Sequence, residues 1–352
     1  MRKWLERRWY HGSAPLLLRP LSSIYGGVSR SRAERDRLQA SQLPVPVIVV
    51  GNISVGGTGK TPFVIWLVER LREWGMNPGV ISRGYGGRAK TWPQAVTAAS
   101  DPALLGDEPV LIAATLSCPL FAAPDRDAAA RALLQQHPQV DVLVADDGLQ
   151  HYRLSRQLEI CMVDGRRGFG NCQLLPAGPL RELPQRLDSV DLVVVNGGGS
   201  EVPECRAPVI RVRVTVQTAM PLAGGPGRAL SEFAGMRVHA VAGIGDPSRF
   251  FSVLTRFGIE LVMHPFPDHH RFRPRDLEFG DTAPVLMTDK DAIKCAGYAD
   301  PRLWRVPAVL ELAPDALWSV RKSVDVMRQR WDARKGAPVP AQPALDKSAE
   351  HG

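Results

Sequence analysis

From Pro44 onward the chain alternates short, β-branched, almost wholly apolar runs with longer stretches whose apolar residues recur at helical spacing. A continuous apolar run of this length fits a strand buried on both faces, as in a parallel sheet covered by helices. The clearest runs are Val45 to Val50, Gly79 to Ser82, Val140 to Ala145, Leu158 to Val163 and Leu192 to Val195. Phe63–Trp74 and Asp127–Gln136 lie between them as crossover helices. Strand and helix in alternation predict a doubly wound α/β sheet. A second series, Val238 to Ala242, Glu260 to His264, Val285 to Thr288 and Ala308 to Leu312, predicts a smaller α/β lobe. Between the two, Ile210 to Val216 alternates apolar and polar positions like a strand with one wet face. The expected division is therefore a segment 1–40, a core 41–213, a second lobe with a terminal amphipathic helix over 214–335, and a disordered Pro-Ala-rich tail 336–352.

The segment 1–40 has a different pattern. Aromatic and aliphatic residues (Trp4, Leu5, Trp9, Tyr10, Leu16 to Leu18, Leu21, Ile24, Tyr25, Val28) interleave with arginines. Residues 1–38 hold nine basic and three acidic side chains, a net of +6 out of the chain's formal +8. The folded part is thus nearly neutral, which speaks against a nucleic-acid-binding surface. No apolar run approaches the 18 or more residues that span a bilayer, and no signal-peptide pattern is present. Two readings fit: an amphipathic helix lying in a membrane interface, or a helix packed on the protein's own core with its arginines in water. The five cysteines are odd in number, scattered and never spaced CxxC, so a reducing compartment is expected.

Candidate chemistry starts where the first strand ends. Ser54-Val55-Gly56-Gly57-Thr58-Gly59-Lys60-Thr61, followed by Pro62 and a helix, is nearly a phosphate-binding P-loop. Its glycines let backbone N–H groups converge on phosphate oxygens, and the helix N-terminus adds its positive end. Lys60 then reaches the outer phosphates, and the Thr61 hydroxyl is suited to Mg²⁺. One position departs: the usual first glycine is Ser54. A P-loop needs a second carboxylate centre for the metal, and the strand ending in Asp146-Asp147 supplies it at the sheet's carboxyl edge. Either carboxylate could be the ligand. Gln150 and His151 follow and face the same crevice. Arg83 and Tyr85, after another strand end, are placed to meet a phosphate or a sugar. Asp107 precedes a helix, and His269 sits in the Asp268-His269-His270 loop of the second lobe.

Taken in order, VGNISVGGTGKTP, ISRGYGG, GDEP, DDGLQH, GNCQLLPAGPLRE, AGIGDPSRFF, FPDHHRF and MTDKDAIKC resemble the tetraacyldisaccharide 4'-kinases, the lipid A 4'-kinases of Gram-negative bacteria. The resemblance runs to about residue 313, and Ser54 lies within that family's own pattern. It implies transfer of the ATP γ-phosphoryl group to the 4'-hydroxyl of a tetraacylated glucosamine disaccharide 1-phosphate, forming the 1,4'-bisphosphorylated lipid. The expected place is the cytoplasmic face of the inner membrane, held peripherally, with ATP and Mg²⁺ required and no nucleic acid or obligate protein partner. Residue by residue it implies an ATP site over Ser54 to Thr61 and Mg²⁺ on Asp146 and Asp147. An Asp107/His269 dyad activates the acceptor hydroxyl, and Arg83, His151 and Glu182 contribute to the site. A membrane-associated P-loop ATPase that positions other proteins is the competing reading. A GTPase lacks its Asn-Lys-x-Asp signature here.

Overall fold

The computed structural model describes residues 2–12, 15–199 and 203–335. The expected tail 336–352 lies outside them. The strongest apolar runs become the central strands of a nine-stranded sheet, in spatial order Val309–Leu312, Val209–Thr215, Leu192–Asn196, Leu158–Asp164, Val47–Gly51, Val142–Asp146, Pro78–Ser82, Leu120–Ala122 and Gln94–Ala95. All neighbours are parallel except the pairs at the two edges. Every residue of Val47–Gly51 and Val142–Asp146 is buried, as expected for strands covered on both faces.

Helices cover both faces. Phe63, Leu67 and Leu71 of Lys60–Glu73, Val110 and Ile112 of Asp107–Thr115, and Val320 and Val324 of Pro314–Lys335 pack on one side. Ala129, Ala130 and Leu133 of Arg126–Gln136 pack on the other. The sheet is therefore doubly wound, with the P-loop strand at its middle and the site at its carboxyl edge.

The second lobe is a six-stranded sheet, ordered Arg228–Ala229, Thr218–Pro221, Leu303–Val306, Val285–Thr288, Arg237–Ala242 and Glu260–Pro265. Phe250, Phe251 and Leu254 of helix Pro247–Thr255 fill one face, and Phe272, Leu277, Ala292 and Cys295 the other.

Two expectations change. The strand expected at Ala308 to Leu312 is not part of this second sheet. Val309–Leu312 pairs antiparallel with Val209–Thr215 at the edge of the large sheet, and the terminal helix packs on the large sheet's core. The six-stranded sheet thus spans 218–306 rather than 214–335, because the chain leaves and re-enters the first lobe on adjacent strands. The single N-terminal helix is in fact two, Arg2–His11 and Arg19–Leu38. Gly12 follows the first, and Pro20 opens the second, where a missing N–H costs no helical bond.

Candidate active site

The P-loop is shaped by its neighbours. Gly56 and Gly59 have φ of 110° and 88°, conformations that favour glycine. A Cβ on Gly59 would lie 2.5 Å from the Asn196 amide nitrogen. Asn196, buried at the end of its strand, donates to the Thr58 carbonyl at 3.2 Å and accepts from the Val214 N–H at 3.1 Å. It therefore ties the phosphate loop to the strand that leads into the second lobe. On the other flank the Val55 N–H donates to the Pro179 carbonyl at 2.8 Å, and the Arg181 N–H to the Ile53 carbonyl at 2.7 Å. The 170–182 loop in turn carries the N-terminal helices. Trp9 Nε1 donates to the Pro176 carbonyl at 3.0 Å, and Ser22 Oγ donates to the Leu174 carbonyl at 2.9 Å.

Lys60 Nζ lies 2.9 Å from Asn52 Oδ1 and 3.4 Å from Asp147 Oδ1. Asp147 adopts a φ of 50°, and Arg181 donates to its carboxylate at 3.2 Å. Burial alone would raise the Asp147 pKa, yet Lys60 and Arg181 hold it well below the usual carboxylate range. Asp146 is the opposite case. It is fully buried, Ser82 Oγ approaches its Oδ2 only at 3.5 Å, and its Oδ1 has no hydrogen-bond partner among the described residues. Burial, with Glu108 and Asp147 nearby, pushes its carboxyl up to about 7. A buried carboxylate with an orphaned oxygen fits a divalent cation, so the donor set at this strand end suits Mg²⁺.

Beneath it lies Arg126, a wholly buried arginine that reads in sequence as an ordinary charged helix position. It donates to the Asp147 carbonyl at 3.3 Å and to His151 Nε2 at 3.3 Å. Burial and the guanidinium groups of Arg126 and Arg83 push the His151 pKa down to about 4, so its imidazole is neutral and accepts that bond.

Across the cleft, His269 adopts a φ of 61°, and its Nδ1 is 3.0 Å from Asp107 Oδ2. Asp107 opens its helix behind Gly106, whose φ of 95° brings the backbone so close to Tyr85 that a Cβ would lie 2.6 Å from the Tyr85 carbonyl oxygen. The Tyr85 ring is exposed, 5.8 Å from the His269 ring, and Arg83 is exposed on the same loop. Three residues distant in sequence thus meet at one place. The lobes also join through Lys290 and Glu108 at 3.2 Å, and, on the far side of the P-loop, through Arg167 and Asp246 at 3.0 Å.

Glu182 does not face open space. Its carboxylate accepts from Gln150 at 2.7 Å and from the Tyr152 hydroxyl, with Arg186 at 3.4 Å. Its place is in a brace under the P-loop flank. Sequence reasoning assigned no role to Asn52, Asn196, Arg126 or Lys294, although Asn52 and Lys294 lie within VGNISVGGTGKTP and MTDKDAIKC and Asn196 is a polar residue closing an apolar run.

Residues 14–324 match the family model described as tetraacyldisaccharide-1-P 4'-kinase. The chain belongs to this family. It is 49% identical over 317 residues to the tetraacyldisaccharide 4'-kinase of Alkalilimnicola ehrlichii, covering 88% of this chain and 92% of that one. It is 50% identical over 311 residues to the kinase of Aromatoleum aromaticum, with 86% and 91% covered. Among solved structures it is similar to LpxK from Aquifex aeolicus, determined in complex with ATP. The TM-score is 0.72 at 28% identity, covering 88% of this chain and 98% of that one. The fold described above is thus similar to the one seen in that structure.

Proposed function

We propose that the two halves of this cleft divide the work of a lipid 4'-kinase. The chain is an ATP-dependent kinase of lipid A biosynthesis, acting on the 4'-hydroxyl of a tetraacyldisaccharide 1-phosphate. The observation that carries the division is the Asp107–His269 bond, which joins a helix N-terminus of the nucleotide-binding lobe to a loop of the second lobe. A P-loop ATPase that moves other proteins has no use for such a pair.

In this reading, the backbone of Ser54 to Thr61 cradles the phosphates, and Lys60 turns from Asn52 and Asp147 to the outer phosphates of ATP. The Asp146 carboxylate and the Thr61 hydroxyl would hold Mg²⁺, while Asp147 stays paired with Arg181 once Lys60 has left it. Bound there, Mg²⁺ neutralises phosphate charge. Asp107 orients His269 through Nδ1, leaving Nε2 to accept the proton of the acceptor hydroxyl as its oxygen bonds to the γ-phosphorus and the bond to the β–γ bridging oxygen breaks, ADP leaving with that electron pair. Such a base contributes about 100- to 10,000-fold. Arg83 and Tyr85 line the approach for the sugar phosphate, and His151, neutral on Arg126, supports that wall.

Among the described residues no helix is long and apolar enough to cross a membrane. The substrate carries four acyl chains, so the enzyme must come to it. Leu21, Ile24 and Val28 lie exposed along one face of helix Arg19–Leu38, next to exposed Leu16 and Leu17. The opposite face, through Ser22, is bonded to the 170–182 loop. This supports peripheral attachment to the cytoplasmic face of the inner membrane, with the arginines of this segment toward anionic headgroups.

The test is transfer of labelled γ-phosphate from Mg-ATP to the tetraacyldisaccharide 1-phosphate in detergent micelles. Lipid-dependent transfer that Lys60→Ala abolishes is expected. ATP hydrolysis at one rate with or without lipid, and no phospholipid product, would overturn the reading.

A further inference from the structure

The Asp107 carboxylate receives two partners from the second lobe. Its Oδ2, 3.0 Å from His269 Nδ1, is also 3.3 Å from Lys294 Nζ. Lys294 comes from the turn Ile293–Cys295, and its side chain is only 7% exposed. Its second contact is Asp291 Oδ1 at 2.9 Å. Asp291 is itself wholly buried, and its Oδ2 accepts from the Gly243 N–H at 2.8 Å and the Thr288 hydroxyl at 2.6 Å. The Phe272 ring lies 5.7 Å from the ammonium. A lysine buried this deeply is retained only where its charge is matched, and here two carboxylates match it.

Gly243 and Thr288 fix Asp291, Asp291 fixes Lys294, and Lys294 shares one oxygen of Asp107 with His269. We propose that Lys294 is a positioning residue for phosphoryl transfer, which holds Asp107 as an ionised acceptor so that the second lobe brings both the imidazole and the ammonium that complete the pair. The proposal rests on the dyad reading given above. Its chemical sense lies in the tautomer. While Asp107 stays ionised it can only accept, so His269 presents Nδ1–H to it and keeps the Nε2 lone pair for the substrate hydroxyl.

Burial pulls the Asp107 carboxyl up, and the His269 hydrogen bond with the ammonium groups of Lys294 and Lys290 outweighs it, so that the carboxyl ends below its ordinary value. The charged groups packed round the pair are Asp268 beside His269, Lys290, Asp291 and Lys294 on the 289–295 turn, and Glu108 on Asp107's own helix, paired with Lys290. Removing one ammonium from this set takes away one of the groups that hold the Asp107 carboxyl down.

The test is the pH profile of kcat for Lys294→Met, for Lys294→Arg and for Asp291→Asn/Lys294→Met. The double variant removes the buried pair together and so leaves no uncompensated charge if the single variant folds poorly. We expect kcat to fall on the order of 10- to 100-fold near neutral pH in both Met-bearing proteins. Their acidic limb should move to higher pH, with KM for ATP changed by less than about twofold, since P-loop contacts are untouched. Lys294→Arg should restore most of kcat and the parent limb. A double variant with the parent pH profile, or with kcat lost evenly at every pH, overturns the role of Lys294. Asp107→Asn measured alongside separates the two failures, because near-normal turnover there would sink the dyad itself.

Discussion

Replacing Leu21, Ile24 and Val28 together with serine isolates membrane attachment from catalysis. These side chains are 52%, 63% and 64% exposed, so the fold loses little packing when they are cut back. Full burial of a Leu, Ile or Val side chain is worth roughly 1.5–3 kcal/mol, and slightly over half of each surface is available to a membrane, which leaves about 1–2 kcal/mol apiece. The triple variant therefore loses about 3–5 kcal/mol of partitioning, or roughly 100- to several-thousand-fold in vesicle affinity at about 1.4 kcal/mol per tenfold. The assay is co-sedimentation with vesicles containing anionic lipid, run beside the parent at two salt concentrations, since the arginine contribution weakens as salt rises. ATP affinity and unfolding midpoint should match the parent. Vesicle affinity within about threefold of the parent would refute the assignment of this face to the membrane.

Asn196→Ala orphans the Thr58 carbonyl and the Val214 N–H, and should cost about 1–3 kcal/mol in denaturant unfolding while raising KM for ATP; an unchanged KM would show that the P-loop holds its shape without this strut. Asp146 concerns pH. Its folded pKa is raised to about 7 above an ordinary value near 4, so the native state keeps a proton that the unfolded chain has lost. Stability of the metal-free protein should then fall as pH rises from about 4 to about 7. Asp146→Asn should flatten that dependence in thermal melts while abolishing transfer, and an unaltered pH slope in the variant would contradict the burial argument.

The large sheet was legible because β-branched runs between glycines and helices have few other folds open to them; Val142–Asp146 and Leu158–Asp164 came out within two residues of expectation. The P-loop was legible for the same reason, since strand, glycines and Lys60 follow one another locally. Val309–Leu312 could not be assigned to its sheet, because its partner, Val209–Thr215, is fixed by tertiary pairing across nearly a hundred residues. The roles of Arg126 and of Lys294, a member of MTDKDAIKC, stayed hidden for a related reason. A charged residue in a helical stretch reads as solvated, and only packing shows it sealed beneath Asp147 or against Asp107. The Asp107–His269 pair was visible through family resemblance, and its 3.0 Å contact depends on how the two lobes pack against each other.

The adjacency of Val209–Thr215 and Val309–Leu312 also constrains how the molecule is made. The edge of the large sheet and the helix that covers Ile210, Val212 and Leu310 come from the last part of the chain, after the whole six-stranded lobe. On a ribosome, the nucleotide-binding half therefore waits with a bare edge and an uncovered apolar face until residues 309–335 have followed the six-stranded lobe out. The inserted lobe, whose ends lie side by side, is free to fold first. The half of the protein that begins the sequence is the half that finishes last.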